Sequence, residues 1–506
     1  MSKFTAETLA MTKAALGNAY SDANLLNKST VSTATGLTYY DLRAPALLLT
    51  PLALTPLVDR TPRRSKAGGA GLACHWKSIL AVTGSGFDNV AFVPEGARSG
   101  NLSYSATDVL ATYTSMGEEG SISFEAESAA EGFEDANAQL SLIELLKFRR
   151  KEEVAILGAN KSVQLGTPTT PTASAAGTTG TVATGTYYVS VVLLTQEGYS
   201  NYKSGGSVSI IEQKTVTSAG GNSTFTVNGG SSNKSAAVSQ AVTLGQVLTA
   251  NATYKAGAVA YAWYVGLVGA QTLQKVTTTA TTTFTTPITT TGQALSAITG
   301  DHSYNDGTGG SNPVTGMDGF LYTAFAAGSN AYVSSVGSTL TASGSGTVVE
   351  IDTALQTMWD TYRISPTVIW VNSQQLTDIR NKCMSNASTP LLRINHDASA
   401  GPYDLKAGGT ITTYFNPYGL NGGQSIPVML HPDLTPGTIL LYAEHLPSYY
   451  ASNATPVVAE VLTRRDYYRI DWPLVTRERQ YGIYAEEVLA VYAPFAVGIL
   501  TNITAG

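Results

Sequence analysis

The sequence predicts an α+β protein that carries a separate all-β insertion. The first observation is a single long run without Gly or Pro, from Phe133 to Leu157, in a chain with 49 glycines. The second is an abrupt loss of charge, since only seven of the 135 residues from Gly166 to Gly300 are charged. The third is a set of short alternating segments with turn residues between them inside that stretch. Together they predict a mixed body interrupted by a β-sandwich.

Length and composition set the limits. With 506 residues the chain is too long for one core, and two to four domains or subdomains are expected. The net charge of −6 gives no global attraction to nucleic acid. Cys74 and Cys383 are too few for a disulfide framework or a zinc site. The N-terminus has no continuous apolar core and no long apolar run follows, so we expect a soluble protein made in the cytoplasm.

The first 62 residues are predicted to be an N-terminal arm followed by an apolar strap. Residues 1–40 lack the apolar content to fold alone. Residues 41–62 contain four prolines among leucines, a frequency that argues against any helix. We therefore expect an extended strap buried against a neighbour.

Residues 63–118 are predicted to form an extended two-stranded loop. Alternating stretches at His75–Val82 and Leu102–Tyr113 indicate its two strands. The AGGAG segment before them lacks the Lys-Ser/Thr ending of a phosphate-binding loop and indicates a hinge. Such a hairpin has little core of its own.

The long helix belongs to a segment predicted to span residues 119–166. Acidic residues lead into it and basic residues follow, as the helix dipole favours. Leu140, Ile143 and Leu146, then Val154 and Leu157, recur at helical spacing and predict the apolar face. Gly158 stands where a left-handed C-terminal cap is expected.

Residues 167–300 are predicted to be the inserted sandwich, with its ends close together in space. After a linker, TPTTPTASAAGTTG, the predicted strands are Thr186–Leu194, Ser207–Ile211, Thr224–Val227, Ala258–Leu267 and Thr281–Thr285. GTYYVSVVLLTQEGYSN and AYAWYVG resemble fibronectin-III or immunoglobulin-like modules, with Trp263 as the candidate core tryptophan. Removing residues 167–300 and joining the ends is expected to leave the rest of the chain able to assemble.

The chain after the insertion returns to mixed structure. Asp352–Tyr362 predicts a helix, Thr367–Val371 a buried strand, and a helix is expected to start near Asn372 or Ser373. Residues 426–446 predict two strands joined by a Pro/Gly turn, and the C-terminal residues predict a final strand pair.

No pattern in the chain predicts catalysis or a cofactor. The five histidines, His75, His302, His396, His431 and His445, are scattered without metal-ligand spacing. Adjacent carboxylates such as Glu152–Glu153 and Glu486–Glu487 are interpreted as solvated faces. The loop holding Asp301, His302 and Asp306 lacks the spacing of a calcium loop. We therefore assign no catalytic, cofactor-binding or metal site, and the expectation is that the protein is not an enzyme.

One basic cluster near the C-terminus is intermixed with acids. Arg464, Arg465, Arg469, Arg477 and Arg479 alternate with Asp466, Asp471 and Glu478. This mixture favours ion pairs between subunits over a nucleic-acid stripe.

The order of these parts resembles the major capsid proteins of tailed bacteriophages, which have the Hong Kong 97 type fold. The segments that carry the resemblance are Phe92–Ala97 (FVPEGA), the acidic lead-in and helix ending at Ala155–Asn160, Ser365–Arg380, Ile426–Leu446 and Tyr481–Leu500. The resemblance covers about 350 residues, and the sandwich at 167–300 departs from the minimal family pattern.

The resemblance implies an arm and strap (1–62), an extended loop (63–118) and a peripheral domain with a spine helix (119–166 and 301–364). It further implies an axial domain (365–470) and C-terminal strands that return to the peripheral domain (471–506). The sandwich is similar to the immunoglobulin-like decorations that some phage capsid proteins carry outward. Some relatives join subunits by a Lys–Asn bond; Lys77 is a candidate donor, but no acceptor Asn or neighbouring Glu can be matched.

As to function, the resemblance implies a structural protein that assembles with itself into hexamers and pentamers of an icosahedral head shell. The shell would enclose double-stranded DNA without sequence-specific binding, and without cofactor or membrane contact. Separate scaffolding, portal, and decoration or cement proteins are the further partners that it implies. The expected location is the virion, after assembly in the host cytoplasm.

Two alternatives remain open from the sequence. One is a non-enzymatic surface adhesin or tail-fibre-like protein that binds through the sandwich. The other is a carbohydrate-active enzyme with an accessory sandwich, which would need a convergent pair of carboxylates.

Overall fold

The computed structural model describes residues 50–65, 71–83, 92–130, 135–219, 221, 223–344, 346–384, 411–419, 422–450 and 457–506. The predicted arm at 1–40 and most of the AGGAG hinge lie outside these residues, as does His396. The predicted fold class is confirmed, because the described residues form an α+β body with a long hairpin, one long helix and a β-rich insertion.

Residues 41–49 of the predicted strap lie outside the described residues, and the part at 50–62 differs from its prediction by one short helix. Pro56–Arg60 forms a helical turn, α1, with Pro56 in its first turn. A proline at this position removes no helical hydrogen bond, because the first N–H groups of a helix have no intrahelical partner. The expectation that the prolines forbid helix was therefore wrong at this turn. Strand β1, Arg63–Ser65, follows it.

The extended hairpin is confirmed. Strand β2, Ala73–Thr83, pairs antiparallel with β3, Ser103–Thr112, with a register shift between Ile79 and Ala81. Strand β4, Thr114–Ser123, continues directly from it.

Strand β4 belongs to a four-stranded sheet that receives the end of the chain. Its other long strands are β20, Ala459–Asp471, and β21, Glu478–Val491, and the order is β1-β20-β21-β4. The strap and the C-terminal strands therefore share one sheet.

The spine helix, α3, spans Ala136–Gly158 after a separate helix α2 at Phe124–Ala130. Asp135 caps α3, since its Oδ1 accepts hydrogen bonds from the N–H groups of Asn137 and Ala138. Gly158 is still helical and is not the predicted left-handed cap; the next residue, Ala159, ends the helix in extended conformation.

The buried face of α3 also differs from the predicted one. Glu144, Phe148, Glu152 and Ile156 recur every four residues and are buried, whereas Ile143 is exposed. The apolar periodicity is confirmed at Leu157, which is buried, but not along the rest of the helix, where Glu144, Glu152 and Glu153 are buried instead.

The insertion contains ten strands in three sheets. They are β5 Thr172–Ala176, β6 Gly185–Leu194, β7 Gln213–Thr217, β8 Thr224–Asn228, β9 Ser231–Lys234, β10 Val238–Val242, β11 Val247–Asn251, β12 Ala260–Gly266, β13 Thr272–Thr277 and β14 Thr281–Phe284. The order is β10-β6-β12-β13, with β9 also pairing β6, in one sheet, and β14-β11-β5 in another; β7 and β8 pair separately. Trp263 is fully buried, as predicted, in a core that the first two sheets share.

Two local predictions in the insertion were wrong. Ser207–Ile211 is not a strand, since it follows directly on an unpredicted helix, α4, Gln196–Ser204. The linker residues Thr172–Ala176 form a strand instead, pairing with β11.

The rest of the body is a six-stranded sheet with helices. Its helices are α5 Phe320–Phe325, α6 Val349–Tyr362 and α7 Ser373–Met384, and its strands are β15 Tyr332–Ser335, β16 Val368–Val371, β17 Thr413–Asn416, β18 Gln424–Leu430, β19 Ile439–Tyr442 and β22 Val497–Thr501. The order is β15-β22-β19-β16-β18-β17, so the two strands predicted within 426–446 flank β16 instead of pairing together. One hydrophobic cluster joins this sheet to the end of α3 and to the strap.

Candidate assembly interface

The hairpin is anchored to the body at its root. Cys74 is buried in the main hydrophobic cluster, and the ring of Trp76 packs edge-on against Tyr492 at 5.2 Å between centroids. The N–H of Tyr113 donates to the carbonyl of Leu72 at 3.1 Å, which closes the base of the hairpin. The root is thus held by contacts to both the core and β21.

Beyond its root, the hairpin is exposed with respect to the described residues. All six residues of β3 from Ser103 to Asp108 are exposed. Since successive residues of a strand point to opposite faces, neither face of this part is buried by the described residues. Large apolar side chains are exposed on it and beside it: Leu72, Ile79, Val82, Phe92, Val93, Leu102, Tyr104 and Leu110. Lys77, the candidate crosslink donor, is exposed and lies opposite Asp108.

An exposed apolar hairpin of this length is unusual in an isolated chain. A two-stranded hairpin is marginally stable in water. Burial of its apolar surface by a neighbour would stabilise it by about 25 cal/mol per Å². Two-faced exposure of apolar side chains is typical of a surface that binds another protein. The hairpin is therefore a candidate interface to a second molecule.

Below the root, Arg63 of β1 holds three elements together. Its guanidinium makes ion pairs with Glu152 of α3 and Glu487 of β21, both fully buried, and its Nε lies 2.9 Å from Asp466 of β20. It also lies 4.4 Å above the ring of Tyr467, whose hydroxyl donates to Glu152. This cluster fixes the point at which the chain leaves for the hairpin.

The charges of this cluster depend on one another. The pKa of Glu487 is raised to about 7, chiefly by burial and next by the charge of Glu152, while Arg63 acts to lower it. Burial lowers the pKa of Arg63, but Glu487 and Glu152 together raise it above its ordinary value. Two buried carboxylates thus depend on one arginine, and its removal would leave both of them unpaired.

The next residue on the helix, Glu153, holds the strap from a different side. Its carboxylate accepts the backbone N–H groups of Leu57 and Val58 at 2.9 and 2.8 Å, which are free donors in the first turn of α1. It also lies 2.7 Å from Nε2 of the buried His431, which follows β18. Adjacent glutamates on α3 therefore fix the strap to both sheets.

One interpretation of charged residues was wrong. Glu152 and Glu153 are not a solvated face, because they are buried and their partners come from positions up to 315 residues away that the helix pattern cannot show. Glu487 is likewise fully buried. The ion pairs expected between subunits stay a prediction, and within the chain Arg464 pairs with Glu486, Arg469 with Asp471, Arg477 with Glu125 and Arg479 with Glu127.

The remaining polar candidates have structural partners. Nε2 of His302 lies 3.3 Å from Glu212, and Asp301 accepts the N–H of Gly166 at 2.8 Å. Asp306 accepts from Thr308 beside it. Among the described residues, no group of three His, Cys, Asp or Glu side chains is placed to hold a metal ion. Nor does any helix in the described ranges have the length and apolarity to cross a membrane.

Sequence reasoning found the hairpin but missed the cluster that anchors it. The strands of the hairpin are visible as local alternation, whereas Arg63, Glu152 and Glu487 are far apart in the chain. The one available signal was the small basic cluster Arg60–Lys66 directly before the hinge. What the arrangement offers is an exposed apolar surface on an anchored root.

Comparisons with known proteins found matches among solved structures. No protein-family model matches the sequence, and no curated protein does. The chain is similar to the capsid of a native GTA particle, at 10% identity and a TM-score of 0.42, covering 95% of this chain and 100% of that one. It is similar to the capsid of Myoviridae phage XM1 at 8% identity and a TM-score of 0.40, covering 90% and 95%. The SrpI encapsulin complex of Synechococcus elongatus matches at 9% identity and a TM-score of 0.40, covering 95% and 96%.

Proposed function

We propose that the chain is a structural major capsid protein whose copies assemble into an icosahedral shell. The observation that carries the proposal is the contrast along one hairpin. Its root is fixed by a buried ionic cluster and its far part is exposed on both faces with apolar side chains. A subunit that overlaps its neighbours needs a rigid root and an uncovered apolar extension.

The proposed partner of the hairpin is a second copy of this chain. Hexamers and pentamers of that copy would form the shell, and the shell would enclose double-stranded DNA without reading its sequence. Four arginines near the C-terminus support this, since Arg464, Arg469, Arg477 and Arg479 each have an acidic partner within the chain, which argues against a basic stripe there. Scaffolding, portal and cement proteins would be separate chains.

The inserted sandwich is proposed to be immunoglobulin-like and to present one end outward. The turns after β10 and β12 and the segment before β6 lie at one end of the sheet, because Val242 pairs with Gly185 and Gly266 with Tyr188. The exposed side chains of Leu244, Leu267 and Val268 lie in these turns. That end carries no charged residue, which favours uncharged partners.

The experiment compares two charge insertions at equally exposed apolar positions. Ile79→Asp with Tyr104→Asp places two carboxylates on the hairpin, at side chains that are 62% and 68% exposed. Val268→Asp, at a side chain that is 74% exposed on the sandwich, is the control. Electron microscopy and sedimentation should find shells or capsomer rings for the control and for the unmodified chain, and unassembled subunits for the hairpin variant.

Folding is checked separately by thermal unfolding of the unassembled subunits. We expect the hairpin variant to unfold within about 2 °C of the unmodified chain, since surface substitutions away from buried features change stability by less than ~0.5 kcal/mol. Normal shells from the hairpin variant would contradict the assignment of the hairpin as the interface.

The adhesin alternative is favoured by one feature, the exposed apolar end of the sandwich. An adhesin would stay monomeric or form a small oligomer regardless of the hairpin, and Val268→Asp would then abolish binding to its target while Ile79→Asp would not.

A further inference from the structure

We propose that the inserted sandwich is an internal brace of the body, and that Gln196 is the residue through which it holds the spine helix and the six-stranded sheet together. The inference goes beyond shell formation, because it concerns the folding of one subunit. The region in question, called here the seam, consists of Ala155–Gly158 of α3, helix α5 and residues 431–438 between β18 and β19.

Gln196 is the first residue of α4 and is fully buried. Its Nε2 donates to the carbonyl of Asp433 at 2.5 Å, and its Oε1 accepts from the hydroxyl of Thr435 at 2.6 Å and from its N–H at 3.2 Å. Its amide is therefore paired with the body on both the donor and the acceptor side. A side chain used in this way orients the segment that it contacts.

The same residue packs against the end of the spine helix. A Cβ built on Gly158 would lie 2.4 Å from Cγ of Gln196 and 2.7 Å from its Cβ. A glycine at 158 is thus what lets α4 approach α3 so closely. Arg150, two turns earlier on α3, pairs with Asp433, so the spine helix and Gln196 converge on one segment.

Helix α5 completes the seam from the side of the body. Tyr322 is fully buried, and its hydroxyl accepts the backbone N–H of Gln196 at 2.9 Å and donates to the carbonyl of Gly257 at 2.9 Å. Both of these partners belong to the insertion. Both hydrogen bonds of the Tyr322 hydroxyl are therefore made with the insertion. Burial raises the pKa of Tyr322 well above its ordinary value.

Further contacts join the insertion to β22 and to the core of the body. The side-chain carbonyl of Asn502, next to β22, accepts the N–H of Ala280 at 2.7 Å, and the hydroxyl of Thr501 donates to that of Tyr254 at 3.2 Å. Val259 lies in the hydrophobic cluster of the body, not in that of the sandwich. The docking therefore involves three separate parts of the body.

The two chain connections between the insertion and the body would be possible without these docking contacts. The N–H of Gly166 donates to Asp301 at 2.8 Å, so the two ends of the insertion meet, as in a domain that hangs from two adjacent strands. Removing residues 167–300 would nevertheless leave Tyr322, Thr435 and Asn502 with buried polar atoms that have lost partners. The contacts thus argue against the expectation that the chain remains able to assemble without the insertion.

The test uses the full-length, unassembled subunit and measures amide hydrogen exchange by mass spectrometry. In Gln196→Ala we expect peptides covering 431–438, 320–325 and 155–159 to exchange at least tenfold faster. The control is Gln240→Ala, on β10, whose amide donates to the neighbouring carbonyl of Ala241; it should leave all three peptides unchanged. Faster exchange confined to residues 185–204 would overturn the proposal, since the sandwich would then be an appended module.

A second variant approaches the seam from the body, in case Gln196→Ala does not fold. Tyr322→Phe keeps the ring and removes only the hydroxyl. Exchange should then increase across the boundary, in the insertion at 195–198 and 257–259. Unchanged exchange there would contradict the brace. Because subunits are measured unassembled, failure of this proposal and failure of the shell proposal are distinguishable.

Discussion

The hairpin and the insertion are both additions to the body, yet they are attached to it in opposite ways. Six consecutive residues of β3 are exposed, whereas all seven residues of β12 are buried. The hairpin is held at its root by charges and presents apolar side chains outward. The insertion turns its apolar side chains inward and is joined to the body by buried polar contacts.

This contrast indicates which of the two regions needs a second molecule to become ordered. The exposed apolar side chains stabilise the hairpin only when a second molecule buries them. We therefore expect the order of the hairpin to depend on subunit concentration. Buried hydrogen bonds within one chain do not depend on concentration. The insertion should therefore be ordered in the unassembled subunit, and the hairpin should become ordered on assembly.

The largest effect is expected at the root of the hairpin. Arg63→Ala leaves Glu152 and Glu487 buried without their cation, and unpairing a buried charge costs about 3–5 kcal/mol. Denaturant unfolding at pH 7.5 should show this loss in the midpoint. Arg64→Ala is the matched control, because Arg64 is largely exposed and reaches Glu460 only at 3.4 Å; it should cost less than ~1 kcal/mol. Equal effects of the two variants would contradict the anchoring role of Arg63.

A smaller effect tests the other side of the comparison. Gly158→Ala should stabilise a helix by about 0.5–1 kcal/mol if propensity decides. We expect the variant to be less stable instead, because the new methyl group would overlap the fully buried side chain of Gln196. Such overpacking costs roughly 1–3 kcal/mol. Thermal unfolding distinguishes the two outcomes. In Gly71→Ala, where the added methyl meets nothing within 4 Å, stability should stay within ~0.5 kcal/mol.

The smallest effect depends on pH and concerns the spine helix beneath β4. Burial raises the pKa of Glu144 to about 7, with Glu118 and Glu119 raising it and Arg469 lowering it. The folded state then binds this proton more tightly than the unfolded state, so stability falls as pH rises from about 4.5 to 7 and is constant above.

Glu144→Gln removes the charge and keeps the shape. The variant should match the unmodified chain near pH 4.5 and exceed its stability by on the order of 1 kcal/mol at pH 8. Unfolding curves at the two pH values provide the measurement. If Glu144→Gln were less stable than the unmodified chain at pH 8, the ionised carboxylate would be stabilising, which contradicts this prediction.

The parts of the fold that could be predicted are those with a local cause. Helix α3 was visible because it lacks Gly and Pro and has Asp135 before it, and the hairpin was visible as alternation. Trp263 was predicted as a core residue from the resemblance of its segment to fibronectin-III or immunoglobulin-like modules, and it is fully buried.

The parts that could not be predicted have distant causes. Helix α4 is short and polar, and Gln196 is buried because Asp433 and Thr435, more than 235 residues later, pair with it. Glu152 and Glu153 look like a solvated face until Arg63 and His431 are placed beside them. For the same reason the interface is predictable as a hairpin, while its anchor is not.

The central claim is that this chain forms shells, and electron microscopy of the purified protein with sedimentation alongside tests it most directly. The account predicts closed shells, or rings of five and six subunits, with the hairpin of one copy lying on the next. A monomer or trimer that persists when a scaffolding protein is co-expressed would contradict it.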